Sequence, residues 1–364
     1  MNEEVSQKLK IIRQTLWPAE VGGVLLRGTD WFAWATAGAS HTVLLTAETG
    51  VAEFLVTQED AWILTDEIEA QRLKDEELAS NFKLYVNPWA DGVAREAFVR
   101  DATSGGKIIS DRPSSTSNLE QPIPPSLQQA KRRLLPTELE RYRQVGQKAS
   151  AAMTEVLQAA QPDWTEFQLA GAGAEALWAR GLHPALTLVA GERRLPLYRH
   201  ATATGEKIGR QAMLVFCARG YGLYANLTRF VCFGSLLQDD AELHRHVREI
   251  EATALSASQP GMTLDAVYYA LAQAYEQHGF PDAIRQHHQG GTTGYLAREI
   301  VATPQTQDFL TENMAIAWNP SVTGAKVEDT FVILQDGKLE NLTFDANFPH
   351  VEVEGRFRAV PLEK

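Results

Sequence analysis

The sequence has only two cysteines, Cys217 and Cys232, in 364 residues. So few exclude a disulfide framework and point to a reducing compartment. No stretch approaches the roughly 18 consecutive apolar residues of a membrane span, so no membrane partner is expected. The start, Met1-Asn2-Glu3-Glu4, is acidic and lacks the apolar core of a secretory signal, which makes the expected location cytoplasmic. Positive charge is the scarcer sign: 34 Lys and Arg stand against 46 Asp and Glu, a net charge of -12. That balance argues against nucleic acid as a partner. A phosphate-cradling glycine signature is also missing from the early strand–helix units, so a nucleotide fold is not indicated.

What is present fits a globular chain of about two domains, with 44% apolar and 22% charged residues. Residues 3–16 read as a helix, and the apolar run Val21 to Arg27 as a strand. Trp31 to Trp34, Thr42 to Thr46, Ala52 to Val56 and Ala61 to Leu64 also look strand-like. Asp66 to Leu78 reads as a charged helix, Lys83 to Val86 as a strand, Ala90 to Ala102 as a helix and Lys107 to Ser110 as a strand. This alternation predicts a small α/β domain, with Trp31, Phe32 and Trp34 in its core. Residues 111–135 carry Pro113, Ser114, Ser115, Ser117, Pro122, Pro124 and Pro125 and read as a linker closing a first domain at 1–135.

In the second domain, 136–364, Thr137 and Glu140 have capping-box spacing for a helix running to Ala160, and Thr165 and Gln168 have it for a second helix. Strands are expected at Ala185–Val189, Ala212–Ala218 and Leu223–Phe233. Helices follow at 239–257 and 263–278, then strands at Ala315–Asn319 and Glu328–Leu334. Helices early and strands late predict an α+β domain around a curved antiparallel sheet. His244 and His246, on a charged helix, read as solvated surface; Cys217 and Cys232 read as small buried apolar groups.

The most informative stretch is Gln286-His287-His288-Gln289-Gly290-Gly291-Thr292-Thr293-Gly294-Tyr295-Leu296-Ala297-Arg298-Glu299. A helix interior would lose about 1 kcal/mol at each of its glycines relative to Ala, and it does not alternate as a half-buried strand does. Glycine at this density means unusual dihedrals or close approach. With imidazoles, hydroxyls and an Arg-Glu pair alongside, the stretch reads as a pocket wall.

Five landmarks fall in a recognisable order. Val189-Ala190-Gly191 is followed by His200. Next comes Gly222-Leu223-Tyr224-Ala225-Asn226-Leu227-Thr228-Arg229, then the His287-to-Glu299 stretch, Trp318-Asn319-Pro320 and Lys326-Val327-Glu328-Asp329. In this order the second half resembles the creatinase–prolidase–aminopeptidase P superfamily. Its peptidases read Gly-Tyr-x-x-Asp-x-Thr-Arg, His-Gly-x-Gly-His-x-x-Gly-x-x-x-His-Glu, Ile-Glu-Pro and Arg-Ile-Glu-Asp at these places. The resemblance implies a pita-bread domain, a creatinase-type amino-terminal domain before it, and a homodimer that brings residues near Trp31 toward the partner's pocket.

It also implies a departure. Superfamily peptidases hold two divalent metals with two Asp, one His and two Glu; the matching positions here are Cys217, Asn226, Gly291, Asn319 and Glu328. One carboxylate among five cannot clamp two hard dications, so no metal and no other cofactor is expected. The creatinases of the superfamily hydrolyse a C–N bond without metal. By resemblance to them, His200 and Glu328 are the candidate catalytic residues and Arg298 the grip for a substrate carboxylate. His287, His288, Asn226 and Asn319 complete the expected binding set, and Gly291 would leave room for a ligand atom. The expected function is metal-independent C–N hydrolysis of a small carboxylate-bearing amide or amidine. The alternatives are an Xaa-Pro aminopeptidase or dipeptidase with an atypical metal site, and a catalytically inactive pita-bread binding protein. The partner is expected to be a small molecule or short peptide.

Overall fold

The computed structural model describes residues 3–19, 21–78, 82–114 and 118–364. It divides into two compact units, Met1–Thr137 and Glu138–Lys364. In the first, strands β1 (Gly23–Gly28), β2 (Thr49–Val56), β3 (Ala61–Asp66), β4 (Lys83–Asn87), β5 (Ile108–Ser110) and β6 (Glu120–Pro122) form one mixed sheet in the order β4-β3-β2-β1-β5-β6. Helix Glu3–Ala19 precedes the sheet, and helix Gly92–Ala102 lays Val99, Phe98 and Ala102 against Leu25, Leu55 and Leu64.

Four sequence expectations change here. Trp31 to Trp34 is not a strand but part of helix Thr29–Ala35, whose seven residues are all buried. An apolar run buried on every side carries no periodicity that separates strand from helix. The ring centroids of Trp31 and Trp34 lie 5.5 Å apart in an edge-to-face contact, as residues three apart on a helix allow. Thr42 to Thr46 forms bends and turns that leave Val43 and Leu44 60% and 65% exposed. The expected linker is not featureless, since β6 and helix Pro125–Arg132 lie within it, with Pro125 in the helix's first turn, where its missing N–H costs nothing. Ser115 and Ser117 lie outside the described residues. The charged segment Asp66 to Leu78 is helical only over Ala70–Arg72, and then continues as a π turn, Leu73–Glu77.

The second unit is built on two larger sheets, with two two-stranded hairpins beside them. Strands β7 (His183–Gly191), β8 (Gln211–Gly220) and β9 (Leu223–Cys232) form an antiparallel meander. Strands β10 (Gly290–Thr293), β11 (Ile300–Val301), β12 (Ala315–Trp318), β13 (Ser321–Val322), β14 (Ala325–Lys326), β15 (Asp329–Ile333) and β16 (Leu339–Asn341) follow, and five of them pair in the order β11-β10-β12-β15-β16. Helices Gln238–Ala257 and Leu264–Gln277 cover this sheet through Val247, Ile250, Leu271 and Tyr275 against Ile316, Trp318 and Phe331. Helix Glu166–Trp178 opens on the capping box read from the sequence: Thr165 and Gln168 satisfy each other's backbone N–H groups. Thr137 does not cap in that way. The helix begins one residue earlier, at Pro136, and the Thr137 hydroxyl donates to Glu4 at 2.5 Å.

Candidate functional site

The two sheets are joined at one place, and most of the sequence landmarks meet there. Thr228 on β9 bridges to Glu328 at the entry to β15, with its backbone N–H donating to the Glu328 carbonyl at 3.1 Å. On the next residue pair, Arg229 donates to the Asp329 carboxylate at 2.7 Å. Asp329 also accepts from Arg358 at 2.6 Å, and Arg358 is paired with Glu251. Two guanidiniums and two carboxylates thus close a buried, charge-matched network. Burial alone would raise the Asp329 carboxyl, but Arg229 and Arg358 hold it below its ordinary value. The Thr-Arg and Glu-Asp landmarks are therefore structural in part: they clamp one sheet to the other.

Glu328 itself sits among cations. It is 2% exposed, yet its carboxylate receives Arg298 at 2.5 Å, Lys326 at 3.1 Å and the Thr228 hydroxyl at 3.0 Å. Burial pushes its pKa up, but Lys326 and Arg298 outweigh that and bring it down to about 2. Arg298 thus lies beside Glu328 and not on Glu299, whose carboxylate accepts the backbone N–H groups of Tyr295 and Leu296.

Asn226 stands on β9 opposite Cys217 on β8. Its amide nitrogen donates to the Thr293 hydroxyl at 3.0 Å and the Ala297 carbonyl at 3.3 Å. Its Oδ1 is buried and has no donor among the described residues, and the same holds for Asn319 Oδ1. Cys217 keeps some surface exposure, but burial of the thiol pushes its pKa up to about 12, so it stays neutral.

The glycine stretch has a firmer role than a flexible wall. Gly290 to Thr293 is a fully buried strand in the middle of the sheet, against the expectation that this run is no strand. The alternation test fails because both faces are covered. Gly291 has φ +152, and a Cβ there would come to 2.0 Å from the Ile300 carbonyl oxygen. The position is glycine because β11 passes over it. It leaves no room for a ligand atom on the Cβ side, which corrects the sequence expectation.

His200, His287 and His288 gather beside this centre. One ring nitrogen from each lies within 4.8 Å of the others, and the Nε2 atoms of His200 and His287 are 2.9 Å apart. Burial, then the cations nearby, lowers all three, His287 to about 3 and His288 to about 4, so the rings are neutral at pH 7. Lys326, Glu328 and Arg298 all act on His200 electrostatically, which puts the imidazoles and the Glu328 cluster in one neighbourhood. Lys326 is the functional candidate that sequence reasoning missed. The signal was present, since it fills the Arg place of the Arg-Ile-Glu-Asp landmark. His244 was also misread: it is buried against Phe230, and burial lowers it to about 3.

A cavity of about 610 Å³ lies elsewhere, in the first unit, lined by Arg27, Glu53, Arg95 and Glu120 among others. Its charges pair with one another, as Arg27 does with Glu120 at 2.8 Å. We place the site instead in the second unit, where the landmark residues converge around the buried, unpaired Oδ1 atoms of Asn226 and Asn319.

The profile described as metallopeptidase family M24 matches residues 140–335, more than half of the chain and the whole of this neighbourhood. The chain belongs to that family. Its second unit has the pita-bread fold that M24 peptidases share, preceded by an amino-terminal domain. The fold is similar to the Xaa-Pro dipeptidase from Bacillus anthracis, with a TM-score of 0.78 at 16% identity over 94% of this chain and 98% of that one. It is equally similar to the X-Pro aminopeptidase from Thermotoga maritima, with a TM-score of 0.77 at 18% identity over 93% and 98%. In sequence, 159 residues are 26% identical to the Xaa-Pro dipeptidase of Pyrococcus furiosus, covering 42% of this chain and 45% of that protein. This chain therefore matches under half the length of that curated relative.

The M24 metal pair does not fit the residues at its place. The β8–β9 register sets Cys217 opposite Asn226, and these positions, which the resemblance matches to the two Asp, hold a neutral thiol and an amide. Gly291 cannot carry a ligand side chain, and Asn319 replaces a Glu. The remaining carboxylate already holds two protein cations. Among the described residues no helix is long and apolar enough to cross a membrane.

Proposed function

We propose that this M24 protein hydrolyses the C–N bond of short, carboxylate-bearing amides, with Xaa-Pro dipeptides the first class, from a centre rebuilt without the family's metal pair. The observation that carries the reading is Glu328 held between Arg298 and Lys326. Two cations against one anion leave a single positive charge facing the imidazoles, and this suits a substrate carboxylate. The unpaired Oδ1 atoms of Asn226 and Asn319 supply acceptors for a substrate N–H or ammonium group. His200, exposed and neutral, is the proton carrier. Known relatives with this fold are named for Xaa-Pro substrates, which supports the substrate class.

The test is product release from Xaa-Pro dipeptides and from N-acyl and amidine analogues, by chelator-treated protein and its His200→Ala variant. Turnover that survives chelation and falls at least about 100-fold on His200→Ala, the low end for a general base, supports the reading. A second reading, a binding protein without turnover, is favoured by the full engagement of Glu328, whose carboxylate is held by Arg298 and Lys326 and not free to activate water. Saturable binding of the dipeptides with no product would establish it. We also propose a homodimer in the cytoplasm, and the exposed Val43-Leu44 turn gives it an apolar contact. Light scattering at micromolar concentration tests this, and a monomer would refute it.

A further inference from the structure

Three imidazoles in reach of one point are more than a proton carrier needs. His200 follows Arg199 in the loop after β7, and His287 and His288 precede β10. The two segments are pinned to each other: Arg199 donates to Gln286 Oε1 at 2.6 Å and to the Val322 carbonyl at 3.2 Å. Fully buried Gln289 fixes the His287 backbone, donating to its carbonyl at 2.6 Å while accepting from the Tyr275 hydroxyl at 2.8 Å. The imidazoles are thus held by a built frame and are not scattered over a mobile surface.

The geometry points to a mononuclear site for a borderline transition dication, zinc first, formed by His200, His287 and His288. It lies at a different place from the M24 metal pair and uses none of that pair's five positions. The Nε2 atoms of His200 and His287 meet at 2.9 Å in a hydrogen bond, and two nitrogens on a tetrahedral ion with metal–nitrogen bonds of about 2.0–2.1 Å lie about 3.3 Å apart, so the pair needs only a small opening to take one ion between them. Imidazole nitrogens select zinc, copper and nickel over magnesium or calcium. His200 and His288 are exposed, so the remaining coordination positions open to solvent. Lys326 and Arg298 oppose a dication here, and Glu328 offsets one of those two charges. An ion at this point replaces the hydrogen bond in which one of the His200 and His287 Nε2 atoms donates to the other. An ion bound at this point takes the His200 lone pair that the proposed hydrolysis uses, so zinc inhibits any turnover. The binding itself stands or falls without that activity.

The test is titration of chelator-treated, full-length protein with Zn²⁺ by calorimetry, repeated with Co²⁺ by visible absorption. One ion per chain with micromolar or tighter affinity is expected, together with Co²⁺ bands of nitrogen ligation. His200→Ala and His288→Ala each weaken binding by more than the about 10–100-fold that loss of an outer-shell partner costs. Both positions are exposed, and thermal melts check that the variants fold. A second cluster, His246, Glu249 and His278, supplies the control, and His278→Ala leaves the affinity unchanged. Absence of saturable binding, or binding that survives in His200→Ala and His288→Ala but is lost in His278→Ala, overturns the proposal.

Discussion

Replacing Glu328 by Gln leaves the shape of the centre and removes the carboxylate that Arg298 and Lys326 share. Lys326 and Arg298 then face each other with 6% and 15% side-chain exposure and no counter-charge. Breaking a buried pair in this way costs about 3–5 kcal/mol. The carboxyl's own displacement gives a second estimate. Its pKa falls from 4.5 to about 2, which corresponds to stabilisation on the order of 3 kcal/mol. The two agree, and in a unit of this size about 3 kcal/mol lowers the melting temperature by about 6–12 °C. The sign follows from linkage. A depressed carboxyl stabilises the fold above its unfolded pKa near 4.5 and loses that contribution as pH falls toward 2. Urea unfolding of both proteins between pH 7 and pH 3 should therefore show a gap that is full at pH 7 and narrows below about 4.5. Lys326→Met added to Glu328→Gln should recover part of the loss. A neutral Glu328→Gln at pH 7, or a gap independent of pH, would refute this account of the cluster.

Three further outcomes follow from neighbouring residues. Gly291→Ala puts a Cβ 2.0 Å from the Ile300 carbonyl at φ +152 and should cost more than about 3 kcal/mol by urea unfolding; Gly291→His cannot recover a metal ligand for the same reason. Asn226→Asp with Asn319→Glu removes the Asn226 donations to Thr293 and the Ala297 carbonyl and buries new charge. It should destabilise the protein at pH 7, and lowering the pH should relieve the loss, because a carboxyl raised by burial is penalised only while ionised. His244, lowered from 6.5 to about 3, must stay neutral in the folded state, so its contribution is lost as pH falls below about 6.5. In His244→Phe the fall in stability between pH 7 and pH 5 should shrink by about 2 kcal/mol in chemical denaturation.

The sequence made the fold of the second unit legible because its landmarks do structural work. Thr228-Arg229 and Glu328-Asp329 close the sheets on each other, so the fold itself sets their order and spacing. The capping box at Thr165 was readable for a similar reason: it is satisfied within four residues. Thr137 has the same spacing, but its partner is Glu4, 133 positions away in the chain, and a local pattern cannot reveal it. The strand at Gly290 to Thr293 was hidden because glycine removes the alternation that marks a strand. The need for glycine lies in β11, which passes over it. Lys326 went unnoticed because its meaning depends on Arg298, 28 residues earlier, reaching the same carboxylate (326 − 298). His244 was read as surface from its charged neighbours in sequence, while Phe230 on β9 buries it.

The central claim is that Arg298 and Lys326, and not a metal pair, hold Glu328. The most direct measurement is a crystal structure of the protein soaked in Mn²⁺, with anomalous scattering recorded at the manganese edge. Manganese is the hard dication that an oxygen-rich M24 centre would take and a cluster of imidazoles would take less readily. The account predicts no anomalous peak between Cys217, Asn226, Asn319 and Glu328, with Arg298 and Lys326 still on the carboxylate. Two peaks about 3.5–4 Å apart at Glu328, with Lys326 displaced, would contradict it.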